Sequence, residues 1–77
     1  MTDKEIRSKI LHLGMWEELN FYYGGYRIHI TKQRVLCMDG SEMVSYRVER
    51  RNIYGEEATS CELVNEVMRF IKRGFSK

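Results

Sequence analysis

The side chains best suited to metal binding or nucleophilic catalysis in this chain are two histidines and two cysteines, His12, His29, Cys37 and Cys61. Their spacing matches no zinc ribbon, zinc finger or Cys-x-x-Cys redox pair. Alternation along the predicted strands places Cys37 on the inner face of a sheet and His29 on its outer face, so the two do not form a catalytic couple. We expect neither a metal nor a cofactor. Both cysteines are expected to be small buried hydrophobic residues, with a Cys37–Cys61 disulfide as the alternative.

Two glycine-containing segments could hold a phosphate or a calcium ion, but both are typical of turns. Gly24–Gly25 is flanked by alternating apolar residues and is not followed by a helix, which a phosphate-binding loop requires. Asp39–Glu42 lacks the series of oxygen ligands found in a calcium loop. Since a domain of 77 residues also rarely holds a substrate-sized pocket, the sequence predicts a protein without enzymatic activity.

The charge balance and the arginines bear on nucleic-acid binding. With 13 basic and 11 acidic residues the chain has a net charge of +2, well short of the strongly basic character of proteins that coat nucleic acid. Arginines and tyrosines on a sheet can nevertheless bind single strands by phosphate contacts and stacking. Weak nucleic-acid binding is therefore the alternative function, and it would use Arg27, Arg47, Arg50 and Arg51. Glutamates interleaved with these arginines favour an ordinary solvated face instead.

Two similar helix-start signatures bracket the chain, at Thr2–Glu5 and Thr59–Glu62. Each matches a capping box, in which the threonine hydroxyl accepts a hydrogen bond from the backbone amide three residues on and the glutamate carboxylate accepts one from the threonine amide. Apolar residues recur at helical spacing after both signatures. Glycines at Gly14 and Gly74 fall where helix stops are expected. These patterns predict one helix at each end of the chain.

Between the helices, apolar and polar residues alternate with the period of a β-strand. A two-residue turn at Gly24–Gly25 pairs apolar residues with apolar residues, as in Phe21 opposite Ile28. A further turn is expected around Lys32–Gln33, where the turn chemistry is poor, and a bulged or longer loop is the alternative.

A later turn is expected at Asp39–Gly40. If these are its two central residues, Leu36 lies directly opposite Met43. The last strand is expected over residues 43–51. Residues 52–57 then form a polar connection into the second capping box.

These elements predict a single small α+β domain over residues 1–77. It consists of an N-terminal helix, an antiparallel three- to four-stranded meander and a C-terminal helix, with both helices packed on one sheet face. The charged segment Met1–Lys9 is unlike a signal peptide, and the longest apolar run, Val35–Met38, is far too short for a bilayer. We expect a cytoplasmic protein with reduced thiols and no membrane contact.

The opposite sheet face is the expected binding surface, because apolar residues cluster there among polar ones. Its candidate contact residues are Tyr22, Arg27, Leu36, Met38, Met43 and Arg47. We expect a non-catalytic protein-interaction domain that binds a protein partner or a second copy of itself. A chain this small buries only about 60% of its unfolded surface, and such compact chains suit regulators or inhibitors of the kind carried by phages and mobile elements.

Overall fold

The computed structural model describes residues 2–73. Its elements in chain order are α1 (Asp3–Leu11), β1 (Glu18–Tyr23), β2 (Tyr26–Leu36), β3 (Glu42–Asn52), β4 (Gly55–Cys61) and α2 (Val64–Lys72). The strands form one antiparallel sheet in the order β1-β2-β3-β4. The predicted helix, meander, helix arrangement is confirmed, with four strands.

A single hydrophobic core lies between one face of the sheet and the two helices. Its buried side chains come from both helices and all four strands: Ile6, Ile10, Phe21, Ile28, Ile30, Tyr46, Val48, Cys61, Val67, Met68, Phe70 and Ile71. The helix α1 contacts α2, and α2 contacts β3 and β4. Within residues 2–73 no helix covers the other sheet face, and neither helix is long and apolar enough to cross a membrane.

Of the capping box predicted for α1, the contact from the Glu5 amide to Thr2 is confirmed, but the Glu5 carboxylate accepts from the Thr2 hydroxyl where the Thr2 amide was expected. The helix also ends early. The Glu5 amide donates to Thr2 Oγ1 (3.3 Å), and the Thr2 hydroxyl donates to Glu5 Oε1 (3.2 Å). The helix ends at Leu11, so Gly14 is not its stop. Instead the Gly14 carbonyl accepts from the Glu17 amide (3.0 Å) in a separate turn.

An ion pair between Asp3 and Lys72 joins the start of α1 to the end of α2. Its hydrogen bond lowers the pKa of Asp3, which also accepts from the Tyr23 hydroxyl (3.1 Å), and raises the pKa of Lys72. A carboxyl group whose pKa is lower in the folded chain than in the unfolded chain stabilises the fold at pH values above its unfolded pKa. The contribution of Asp3 is therefore present at neutral pH and is lost as the pH falls through its folded pKa.

The first hairpin turn has the predicted geometry. Gly24 and Gly25 have φ values of 57° and 83°, which a type I′ turn requires at both central residues. Phe21 lies opposite Ile28 as expected.

No turn occurs at Lys32–Gln33, so that prediction is wrong. The strand β2 runs through both residues without interruption, and Ile30 pairs with Val48 on β3. Neither residue favours a turn, and the strand period continues through them. The Lys32 ammonium donates to the Leu13 carbonyl (3.2 Å), which anchors the middle of the strand to the loop after α1.

The turn between β2 and β3 has three residues, which shifts the predicted register by one. The Cys37 amide donates to the Ser41 carbonyl (2.8 Å), and the Gly40 amide donates to the Cys37 carbonyl (3.0 Å). Gly40 has a φ of 86°, as the final residue of such a three-residue loop requires. Leu36 therefore pairs with Glu42, and Met43 does not lie opposite it.

The predicted polar connection and second capping box are wrong, because Gly55–Cys61 form the strand β4. Asn52 pairs with Gly55 across a two-residue turn, and Thr59 pairs with Val48 inside the sheet. The helix α2 begins only at Val64, where the Leu63 amide donates to Glu66 Oε1 (3.3 Å). The ladder to β3 satisfies backbone groups that a cap would otherwise have satisfied. The predicted stop at Gly74 lies outside the described residues.

The loop between α1 and β1 holds a tryptophan in an unfavourable backbone conformation. Trp16 has a φ of 67° and is 63% exposed. Its amide donates to the Lys32 carbonyl (2.7 Å), and the Lys32 amide donates to the Glu17 carbonyl (3.3 Å). This is the hydrogen-bond pattern of a bulge whose first residue is usually glycine. Left-handed backbone costs an L-residue roughly 1–2 kcal/mol.

We expect Trp16→Gly to stabilise the fold. Relief of the left-handed strain exceeds the extra chain entropy of glycine, so the free energy of unfolding should rise by about 0.5–1 kcal/mol in urea titration. The control is Trp16→Ala, which removes the indole but keeps the Cβ and its strain. A glycine variant no more stable than the alanine variant would show that the backbone of residue 16 is unstrained.

Candidate protein-interaction face

The sheet face turned away from the helices, called the outer face below, presents three complete cross-strand rows. The registers set them as Tyr22, Arg27, Arg51 and Glu56, then Asn20, His29, Glu49 and Ala58, then Glu18, Thr31, Arg47 and Ser60. A groove of about 480 Å³ runs along the first two rows and reaches Arg47. This arrangement offers many hydrogen-bonding groups and little depth, which suits a macromolecular surface better than an enclosed small ligand.

Opposite charges alternate on the outer face. Two ion pairs join them, Arg47 to Glu49 (3.2 Å) and Arg51 to Glu56 (2.9 Å), and the ring nitrogen His29 Nε2 lies 3.3 Å from Glu18. The rows therefore hold three arginines and three glutamates, and two of the arginines, Arg47 and Arg51, are paired with a glutamate. Such a face has no strong net potential to attract phosphates, in contrast to a typical nucleic-acid-binding surface.

Arg27 is flanked differently from the other two arginines. It lies between Tyr22 on β1 and Arg51 on β3. It makes no ion pair and no side-chain hydrogen bond with any residue from 2 to 73. Like charges directly opposite each other in a sheet are destabilising, so this corner of the outer face has an uncompensated positive charge.

Large apolar side chains lie exposed beside that charge, at the tips of two hairpins. Tyr22 is 76% exposed, Ile53 91% and Tyr54 85%. Together with Arg27 and Arg51 they line a shallow, mainly apolar groove of about 530 Å³, and we call these five residues the hairpin-tip surface. The β3–β4 turn that presents Ile53 and Tyr54 is pinned by a hydrogen bond from the Tyr54 amide to the Asn52 side chain (2.8 Å).

The six predicted contact residues do not form one patch. Tyr22 and Arg27 lie at the hairpin tips, and Arg47 lies in the third row.

The predicted apolar cluster of Leu36, Met38 and Met43 is divided by the sheet. Met43 pairs with Val35 on the outer face, whereas Leu36 falls on the same face as Ile28 by alternation along β2. Met38 lies fully exposed in the turn. These residues also lie about 26 Å along β2 from the hairpin tips. The register shift of one residue is the reason, because it moves a side chain to the other face.

The prediction that Arg50 contacts nucleic acid is wrong, because its side chain is fully buried on the helix side. Its guanidinium donates to Glu57 Oε2 (2.7 Å) and to the Phe70 carbonyl (2.8 Å). The rings of Tyr26 and Phe70 each lie with their centroids 4.8 Å from its central carbon. The inward alternation of Tyr46, Val48 and Arg50 was the sequence signal for this position.

The histidines and cysteines form no reactive group within residues 2–73. Cys61 is buried, Cys37 is half-buried and both are free thiols, so the alternative of a disulfide is wrong. Burial raises the pKa of the Cys61 thiol, which disfavours the reactive thiolate. His29 contacts Thr31 Oγ1 (3.1 Å) as well as Glu18. In the same part of the chain, no three His, Cys, Asp or Glu side chains are grouped as metal ligands would be.

Ile53 and Tyr54 are not among the predicted contact residues, because residues 52–57 were expected to form a polar connection. The available signal was a pair of large apolar residues between Asn52 and Gly55, two residue types that commonly flank or form turns. No protein-family model matches the chain, and comparison with curated proteins and solved structures gave no significant match.

Proposed function

We propose that this chain is a non-catalytic protein-interaction domain that binds a protein partner through its outer face, with the hairpin-tip surface at the centre of the contact. The observation that carries the proposal is the exposure of Tyr22, Ile53 and Tyr54 together on one side of the sheet. Contiguous exposed apolar groups on a small domain are typical of interaction sites.

The residue types at this surface support the proposal. Tyrosine and arginine are enriched among residues that dominate binding energy, and both occur here twice. The hydrogen bond from the Tyr54 amide to Asn52 stabilises the β3–β4 turn. A preformed contact surface loses less conformational entropy on binding.

Other classes of partner fit the outer face less well. Phosphates would meet Glu49 beside Arg47 and Glu56 beside Arg51, which disfavours nucleic acid. A small domain that acts only by occupying a surface of its partner would serve as a regulator or inhibitor of that partner.

Affinity capture with matched variants tests the proposal. The immobilised chain and the variant Ile53→Ser/Tyr54→Ser are exposed to the same native lysate, and captured proteins are quantified by mass spectrometry. The control is Leu36→Ser/Met38→Ser, which removes equally exposed apolar groups far from the hairpin tips. We expect the capture to identify one specific partner. In purified form, this partner should bind Ile53→Ser/Tyr54→Ser at least about 30-fold more weakly than the wild-type chain, because two anchor residues are lost, and should bind the control as tightly as wild type.

Three results would contradict it. The same partner binding the tip variant with full affinity would exclude the hairpin-tip surface. Capture abolished by nuclease would indicate nucleic acid. A wild-type dimer in sedimentation velocity, dissociated by Ile53→Ser/Tyr54→Ser and accompanied by no captured protein, would show that the surface serves self-association.

A further inference from the structure

Two arginines lie opposite each other at the hairpin-tip surface, and only one of them is paired with a carboxylate. Arg51 donates to Glu56 Oε2 through Nε (3.0 Å) and Nη2 (2.9 Å). Arg27, directly opposite on β2, makes no such contact within residues 2–73. The sheet therefore keeps a like-charge pairing that an additional anion would relieve.

The carboxylate of Glu56 is poorly placed to serve both arginines. Its strand, β4, lies on the far side of β3 from Arg27. Strands are spaced about 4.8 Å apart, so the backbones of residues 56 and 27 are separated by about 10 Å. On its other side Arg27 has Tyr22, which carries no charge.

An apolar wall continues from this charged pair. Ile53 and Tyr54 lie in the turn that directly follows β3, and with Tyr22 they give the groove its mainly apolar lining. A ligand that fills the groove must therefore present an anionic group to Arg27 and an apolar group to the turn. Both groups must be within a few ångströms of each other.

We infer that the hairpin-tip surface recognises an acidic, apolar segment of a protein partner. An Asp or Glu carboxylate of the segment lies between Arg27 and Arg51, and a neighbouring aliphatic or aromatic side chain contacts Ile53 and Tyr54. This inference rests on the proposed function and specifies the chemistry of the partner.

A single carboxylate fits this position better than a run of phosphates. Arg47, the next arginine on the outer face, is already bound to Glu49 (3.2 Å), and Glu56 lies beside Arg51. Among residues 2–73, a polyanion lying along the outer face would therefore approach the glutamates beside Arg47 and Arg51 as well as the uncompensated Arg27. Charge-assisted hydrogen bonds from guanidinium to a lone carboxylate have no such penalty.

A peptide selection tests the inference with the full chain. Phage displaying random 12-residue peptides are selected on the immobilised protein, and enriched peptides are synthesised and titrated by fluorescence anisotropy. We expect Asp or Glu enriched next to aliphatic or aromatic residues. Arg27→Gln should weaken these peptides about tenfold. The control is Arg34→Gln, another exposed arginine of β2, paired with Glu42 (3.5 Å), which should leave binding unchanged.

The peptide supplies a second comparison. Replacing its Asp or Glu with Asn or Gln should weaken binding to the wild-type chain about tenfold. The same replacement should not weaken binding to Arg27→Gln any further. Two results would overturn the inferred carboxylate contact: peptides without enriched Asp or Glu, or peptides that bind Arg27→Gln as tightly as the wild-type chain. If such peptides still bind Tyr54→Ser more weakly than wild type, the proposed function stands. Peptides whose affinity changes in neither Arg27→Gln nor Tyr54→Ser, or a selection that enriches no peptide, would overturn both this inference and the proposed function.

Discussion

Replacing Arg50 with methionine should lower the free energy of unfolding by about 3–5 kcal/mol. The guanidinium is fully buried and holds three parts of the fold together: β3, which carries it, β4 through Glu57, and the end of α2 through the Phe70 carbonyl. Methionine fills a similar volume but donates no hydrogen bond. The variant would then bury the Glu57 charge without its closest cation and leave the α2 carbonyl without this donor.

The position of Arg50 explains why the loss is large. Its guanidinium contacts the Phe70 carbonyl near the C-terminal end of α2, where the helix dipole favours a cation. Its central carbon also lies 4.8 Å from the ring centroids of Tyr26 and Phe70. Glu57 would keep its longer contact with Arg73 (3.8 Å). A domain of this length has a total stability of roughly 4–12 kcal/mol, so the variant is expected to be close to unfolding at room temperature.

Urea denaturation followed by circular dichroism measures this effect. The matched control is Arg51→Met, because Arg51 is the next residue of β3 and pairs with Glu56, but both side chains are largely exposed. Exposed ion pairs contribute little, so the control should unfold near the wild-type midpoint. The double variant Arg50→Met/Glu57→Leu should recover part of the loss, since apolar replacement of a buried pair is well tolerated. Equal midpoints for Arg50→Met and Arg51→Met would show that the buried contacts are not stabilising.

Replacing Ile30 with alanine should cost about 2–5 kcal/mol of unfolding free energy. Ile30 is fully buried in the second strand, with Leu19 opposite it on β1 and Val48 opposite it on β3. Loss of its side chain removes apolar surface from the core and leaves a cavity that the hydrogen-bonded strands on both sides cannot close.

The same substitution at Ile53 is the control. That side chain is 91% exposed in the β3–β4 turn, so Ile53→Ala should change the stability by less than about 0.5 kcal/mol. Thermal and urea unfolding of the two variants, measured side by side, give the comparison. A small effect at Ile30 or a large one at Ile53 would mean that the core lies elsewhere. A folded Ile53 variant also shows that binding losses at the hairpin tips are not caused by unfolding.

Local sequence was sufficient for the start of α1 and for the first hairpin. The Thr2 cap and the Gly24–Gly25 turn each depend on residues a few positions apart, and both form as predicted. The alternation that places Phe21 opposite Ile28 is likewise a short-range pattern. For the candidate site, this was enough to bring Tyr22 and Arg27 together.

The register of β2 against β3 could not be derived from the turn between them. Asp39–Gly40 is compatible with a two-residue or a three-residue loop, and the two differ by one residue in pairing. Only the three-residue loop lets an uninterrupted β2 set Ile30 against Val48 in the core, because the other register would turn Glu49 inward. Burial along the whole strand therefore decides the loop, and the loop decides where Leu36 and Met43 lie.

The chain by itself determined its element types at the two ends, its first hairpin and the alternation of inner and outer residues. The tertiary structure decided the fourth strand, the burial of Arg50 and the exposure of Ile53 and Tyr54. The physical reason is that β4 forms by pairing with β3 over residues 55–61, and that cooperative ladder outweighs the local capping signal at Thr59. Once β4 forms, the turn before it projects from the sheet, and the hairpin-tip surface follows.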